Sequence, residues 1–541
     1  MKKKIFGIQA LVLAAGMTLP LFAGCGERVS NDPDTLQVYV ANFGYGTEWL
    51  NELADLFVEQ DWVQAAHPGI TRENIVIEQN SERSYAIDRI AQGESNTIDL
   101  FFTVTSGATS YEQENSDGVS NYEDLTDLYN SQVPGEDVTV AEKMDDNFLT
   151  MSTFTKLDGT TTYYYLPWVS GMQGLLYNQT QFEEAFAGTD VEVPRTTDEL
   201  SEVCSALVDE GYTPFIYTSR ENYWTCTMFL IWWAQYEGLE NYSNFYQGIV
   251  VDEDGNRQMS RDVYRQTGRL RSLEVIESLI KYPTPNIHEN VNTLTFTQAQ
   301  ARFLLGQGTM MPNGDWFETE MRSTQDSGEI TDEFTFMPSP VISSIVEQLD
   351  TQITDDQLSD IVALIDGGAQ SAADVASVAA ITEDDFDKLY EARKLVLPVG
   401  NHNAYIPSYA TGKELAKDFL LFMSTDVACN AFIEATNGAS LPFEYDVETE
   451  DPELYESLAP LQKDRLTMQK DAVYMLNENT YAASYYGGIT RLTDGRTNLD
   501  VLFSAQNPDD QMTAQEIYQA EIDRWTDVRW ESVLINMGLL T

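Results

Sequence analysis

Enzyme chemistry needs particular side chains at particular spacings, and most of the familiar sets are missing here. The three histidines, His67, His288 and His402, are scattered, with no spacing that would hold a metal. There is no G-x-S-x-G elbow, no phosphate-cradling P-loop and no dinucleotide fingerprint. Asp252-Glu253-Asp254-Gly255-Asn256 is acidic, but it lacks the glycine and the closing acid of a calcium loop at their required places, so it reads as a solvated turn. No cofactor and no metal is expected. One catalytic class survives: a glycoside hydrolase needs only two carboxylates, and the chain has 87 Asp and Glu. The alternative is binding chemistry. Tyr45 stands between Gly44 and Gly46 directly after the first strand, at the carboxyl end of a sheet, where open α/β sheets bind ligands. A purely structural turn would use the same glycines. Tyr481, Tyr485 and Tyr486, with Asn477 and Asn479, make a polar aromatic segment near the end of the chain.

The elements that would position these residues alternate. Leu36, Val38 and Val40 alternate with Gln37 and Tyr39, the period of a strand. From Thr47 a helical face follows with Trp49, Leu50, Leu53, Leu56 and Phe57. Next come a strand at 75–77, a helix around 85–91 and a buried strand at 98–102. This strand–helix rhythm is that of a parallel α/β sheet covered on both faces. A second α/β region starts near Leu166, with strands at 174–177, 214–217 and 309–311. Its helices run from the capping box Thr196–Glu199, from Tyr223 to Tyr236 and from Phe296 to Leu305. Residues 343–395 change to an acidic, Ala- and Ser-rich composition and read as an inserted helical segment. Two helices follow at 413–423 and 427–435, and one long helix is expected over 514–537.

The chain has 541 residues, 43% of them hydrophobic, enough for two large lobes. Its 31 Lys and Arg against 87 acids give a net charge of −56. Such a surface repels nucleic acid and anionic lipid, so neither is an expected partner. At the start, Lys2–Lys4 precede an apolar run to Leu19 and then Leu21-Phe22-Ala23-Gly24-Cys25, the layout of a secretory signal peptide over 1–24. The last five of these resemble a bacterial lipobox, in which the cysteine is lipidated and becomes the mature N-terminus; Phe22 departs from it by standing where Leu is usual. Cys25 is therefore the expected lipid attachment, with 25–35 as tether and this anchor the only membrane contact. The remaining Cys204, Cys226 and Cys429 read as buried small residues, although Cys204 and Cys226 could pair.

Several short motifs occur in one order through the chain. They include Leu166-Pro167-Trp168, Leu176-Tyr177-Asn178, Gly211-Tyr212-Thr213-Pro214 and Gly308-Thr309-Met310-Met311-Pro312-Asn313-Gly314-Asp315-Trp316. Further on are Phe336-Met337-Pro338, Ile406-Pro407, Lys413–Leu420 and Leu441-Pro442. Together they resemble the extracellular solute-binding proteins of carbohydrate ABC importers, the group that includes maltose-binding protein. The resemblance implies two α/β lobes joined by crossing strands around a ligand cleft. By similarity lobe one holds 36–150 and 403–440, and lobe two 166–340 and 441–541. It implies a monomeric receptor that passes a carbohydrate, an oligosaccharide by preference, to ABC permease subunits. A sugar sensor without transport is the other binding reading.

A sugar offers an apolar C–H face to aromatic rings and hydroxyls to planar polar groups. The family places a sugar-stacking Trp where Trp316 stands, beside Asp315, which could take two hydroxyls or cap a helix. Tyr223 and Trp224 match a stretch that supplies a stacking aromatic in maltose-binding proteins. Trp168 falls at the start of lobe two near the hinge. His402 and Tyr405 fall where the chain recrosses, and Tyr485 in lobe two completes the set. Trp232 and Trp233 are expected in the core.

Overall fold

A computed structural model describes residues 33–82, 85–104, 120–155, 161–189, 191–252, 255–325, 330–475, 492, 498–537 and 539–540. The leader, Cys25 and the Tyr481–Tyr486 segment with Tyr485 lie outside the described residues. Ten strands build two main sheets: β1 (Leu36–Ala41), β2 (Ile75–Asn80), β3 (Leu100–Phe102), β4 (Leu166–Pro167), β5 (Met172–Asn178), β6 (Met310–Gly314), β7 (Phe334–Met337), β8 (Leu395–Pro398), β9 (Asn403–Tyr405) and β10 (Val473–Tyr474). The first sheet runs β2-β1-β3-β9-β4, parallel across β2, β1 and β3 and antiparallel beyond. In the second, β5 pairs antiparallel with β6 on one side and with β7 and β8 on the other, and β10 runs parallel to β8.

The first sheet is covered on both faces, so the alternation in β1 does not sort its residues into core and solvent. Tyr39, on the polar side of the pattern, is as buried as Val38 and stacks on Tyr85 at 5.2 Å. Helix Glu48–Glu59 buries Trp49, Leu50, Leu53, Ala54 and Phe57, with Trp49 edge-on to Phe102 of β3. In the second lobe, helix Met228–Glu237 is apolar all round and almost wholly buried, as Trp232 and Trp233 required.

The 343–395 segment forms helices Asp355–Asp366, Ala372–Val375 and Glu383–Lys394. Its Leu358, Ile361, Val362, Phe386 and Leu389 share one core with Trp232 and Trp233. Gln235 binds both ends of the insert, donating to the Ala392 carbonyl and accepting from the Ile342 amide. The insert is thus part of the second lobe's packing.

Four expectations are corrected. β4 completes the edge of the first sheet before the chain crosses, so residue 166 does not open lobe two. Residues 214–217 form no strand. Phe215 makes only isolated bridges to Ile287 and Met310, and Pro214 beside it has no amide to donate. The aromatic helix breaks at Thr227, giving Tyr223–Cys226 and Met228–Glu237. The last helix breaks at Trp525, because the Thr526 side chain caps a new one by accepting from the Arg529 amide. No disulfide joins the three described cysteines, and Cys204 and Cys429 are buried. Among the described residues no single helix is long and apolar enough to cross a membrane.

Candidate functional site

The chain passes between the sheets at 168–171, from β4 to β5, and at 399–402, from β8 to β9. It passes a third time after helix Asp426–Thr436, through residues that still touch the first lobe: Phe443 bridges Met144. Five of the sequence-selected residues meet at these passages. Gly44 and Gly46 take left-handed φ values of 58° and 72°, and this turn points Tyr45 inward. The Tyr45 hydroxyl donates to Asp315 Oδ1 at 2.6 Å. The Tyr45 ring meets His402 at 5.3 Å and Trp168 at 6.2 Å, both edge-on. Trp168 stacks on Trp49 at 5.0 Å and donates from Nε1 to the Thr103 carbonyl. Trp316, the residue after Asp315, is half-buried, its ring lying against Gly314 and its Cβ facing Gly44 of the other lobe.

Beside this group a cavity of about 470 Å³ opens between the turn after β1 and helix Trp316–Gln325. Asn42, Phe43 and Glu48 line it from the first lobe, and Thr319, Glu320 and Arg322 from the second. Trp316, Thr319 and Glu320 share one helix face through their three- and four-residue spacing. Glu320 also reaches across, accepting the Gly44 amide at 3.2 Å. The volume falls within the ~300–1,000 Å³ of ordinary ligand pockets. Its amide, carboxylates and guanidinium are the planar groups that hydrogen-bond hydroxyls.

The model for bacterial extracellular solute-binding proteins matches residues 43–428. The chain belongs to that family. The solved structures it resembles include a chitin oligosaccharide binding protein, at 15% identity and a TM-score of 0.56, covering 92% of this chain and 99% of that one. RafE from Streptococcus pneumoniae, in its apo form, matches at 13% identity and 0.54, covering 91% and 98%. The solute receptor AcbH, described as exclusive for b-D-galactopyranose, matches at 12% identity and 0.53, covering 90% and 98%. These likenesses establish the two-lobed α/β fold. No curated protein matches the chain.

In this solute-binding protein several selected residues offer no ring face to the cleft. Trp224 is fully buried, edge-on to Phe215 and stacked on Trp232, so its ring offers no face to a ligand. Trp168 is fully buried as well, and its ring is a core contact. Tyr405 packs between Tyr122 and Tyr165 inside the first lobe. The sequence made Trp168 and Tyr405 candidates because an aromatic near a passage looks the same whether it faces the cleft or the core, and Trp224 because its stretch resembles one that supplies a stacking ring. Tyr223 is half-buried and stacks on Phe296 at 4.7 Å with rings nearly parallel. Asn222 before it has φ 60°, and the Asp500 carboxylate accepts the Trp224 and Thr225 amides, fixing this helix start.

One residue of this cluster was missed. Arg465, on helix Pro460–Lys470, is fully buried and lies 3.7 Å from Asp315 Oδ2. It donates to the carbonyls of Ser170 and Gly438 and to Ser440 Oγ. Its one sequence signal is Gln462 and Arg465 sharing a face with Leu461 on an otherwise polar helix.

Burial pushes the Asp315 carboxyl up to about 6, against the opposing pull of Arg465 and the Tyr45 hydrogen bond. The folded value is raised, so this group's contribution to stability is full below about 4 and is lost as pH rises through about 6. The loss is on the order of 3 kcal/mol at most. Urea titrations of wild type and Asp315→Asn at pH 4, 5, 6 and 7 should show this decline in wild type and its absence in the variant. Parallel profiles would refute it.

Proposed function

We propose that this chain is a lipid-anchored, extracytoplasmic, monomeric receptor that binds a carbohydrate, preferably an oligosaccharide, and delivers it to an ABC importer without catalysing a reaction. The observation that carries the reading is the inter-lobe cavity, walled by amide, carboxylate and guanidinium groups from both lobes, with Trp316 at the start of the helix that lines it. Such a site contacts its ligand fully only when the lobes are together, so binding shifts the open–closed equilibrium. The family supplies the receptor role, and the names of the chitin oligosaccharide binding protein and of AcbH support a sugar as cargo. The Cys25 motif supports the anchor. Trp316, Tyr223 and the cavity's polar groups are the proposed sugar contacts.

The test is a glycan array with the purified protein, followed by calorimetry on the hits and on a peptide library. Glycan binding with no release of reducing ends is the expected result. A tight peptide ligand with no glycan would overturn the substrate class, and released reducing ends would convert the reading to a glycoside hydrolase.

A further inference from the structure

We propose that Tyr45, Asp315 and Arg465 form a latch that holds the two lobes closed by itself, and that Tyr45 and Asp315 influence a ligand only through that latch. The proposal rests on the closing receptor described above, but not on the identity of its cargo.

The three residues come from three separate parts of the chain: the turn after β1, the end of β6 and helix Pro460–Lys470. Each is buried, Tyr45 at 2% exposure and the other two at 0%. One hydrogen bond and one ion contact at 3.7 Å join them. The Tyr45 proton goes to Asp315 Oδ1, and Oδ2 faces the Arg465 guanidinium. Arg465 donates from Nε to Gln462 and from its other nitrogens to Gln469, to Ser170 in the first passage, and to Gly438 and Ser440 in the third. One cation therefore touches two of the strands on which the lobes turn and the carboxylate that crosses between them.

Space makes the same argument. A methyl group on Gly171 would lie 2.3 Å from Tyr45 Oη and 2.7 Å from Asp315 Oδ1. The contact is sealed against the passage backbone, with no room for a ligand atom. Glu320 and Arg322, by contrast, border the open cavity. Opening the lobes would break a charge-assisted hydrogen bond. It would also leave Asp315 to be rehydrated without its inter-lobe partner Tyr45.

The experiment is small-angle X-ray scattering on the ligand-free protein, comparing wild type with Tyr45→Phe, which removes only the latch hydroxyl, and Gly171→Ala, which wedges the contact apart while leaving every latch side chain chemically intact. Near-UV circular dichroism and thermal melts check that each variant is folded. The latch predicts a compact wild type, with both variants shifted to a larger radius of gyration while their near-UV spectra stay native. A wild type that is already expanded would overturn it, as would a Tyr45→Phe profile that overlays wild type. Expansion by Gly171→Ala alone would show a merely steric contact and overturn the hydrogen-bonded latch. Because no ligand is present, a failed glycan screen leaves this result intact.

Discussion

Arg269→Ala should lower folding stability by about 3–5 kcal/mol, the largest effect expected of any single change outside the cleft. Arg269, on helix Thr267–Ile280, and Glu521, on helix Ala514–Arg524, are both completely buried and paired at 2.9 Å. The guanidinium lies over four rings, those of Trp233, Phe245, Tyr264 and Phe229, at 4.6–5.7 Å from their centroids. Truncation removes this packing and strands a carboxylate in the core. Three variants separate the causes. Arg269→Met keeps most of the stem, so any cost it shares with Arg269→Ala belongs to the lost charge. The double change Arg269→Met with Glu521→Leu removes both charges and should recover much of the stability, because an apolar pair avoids desolvating two ions. Denaturant midpoints measure all three. A midpoint for Arg269→Ala within about 1 kcal/mol of wild type would mean the pair contributes little. Ligand affinity should be unchanged, since the pair sits in the second lobe's helical packing.

That pair also shows what the sequence could reveal. The helix around Trp232 and Trp233 is legible because a segment apolar on every side must be buried. The arginine that its aromatic rings surround comes from a helix whose own pattern is ordinary, so nothing local marks Arg269 as buried. The same limit holds at the hinge. Alternation and capping signals located β1, β5 and β6, and the turn glycines located Tyr45. Which side chains then meet depends on how the passages bring residues 45, 171, 315 and 465 together, a relation between segments hundreds of residues apart. The helix break at Trp525 was likewise invisible, since it depends on a Thr526 cap that competes with continued helix. Tertiary packing divides the selected aromatics: Trp168, Trp224 and Tyr405 turn inward, while Trp316 and Tyr223 keep partial exposure.

Partial exposure at Trp316 supports the second large effect. If its ring stacks on a pyranose, Trp316→Ala removes an apolar platform and should weaken glycan binding by roughly 1–3 kcal/mol, about five- to 150-fold. The fold should survive, because a ring that is half exposed contributes less to packing than a buried one. A core role predicts the opposite pattern: about 3–5 kcal/mol of stability lost, with affinity nearly intact in the folded fraction. Calorimetric titration with the best hit of the glycan array, run beside a thermal melt, separates the two. Trp316→Phe keeps a smaller face and should bind between wild type and the alanine variant. Gly314→Ala gives an independent check, since its added methyl would lie 2.2 Å from the Trp316 ring and must displace it while leaving the indole in the chain. Under the stacking reading this displacement weakens binding even though no aromatic is lost. Unchanged affinity in both Trp316→Ala and Gly314→Ala would remove Trp316 from the ligand contacts and leave Tyr223 on Phe296 as the remaining half-buried platform.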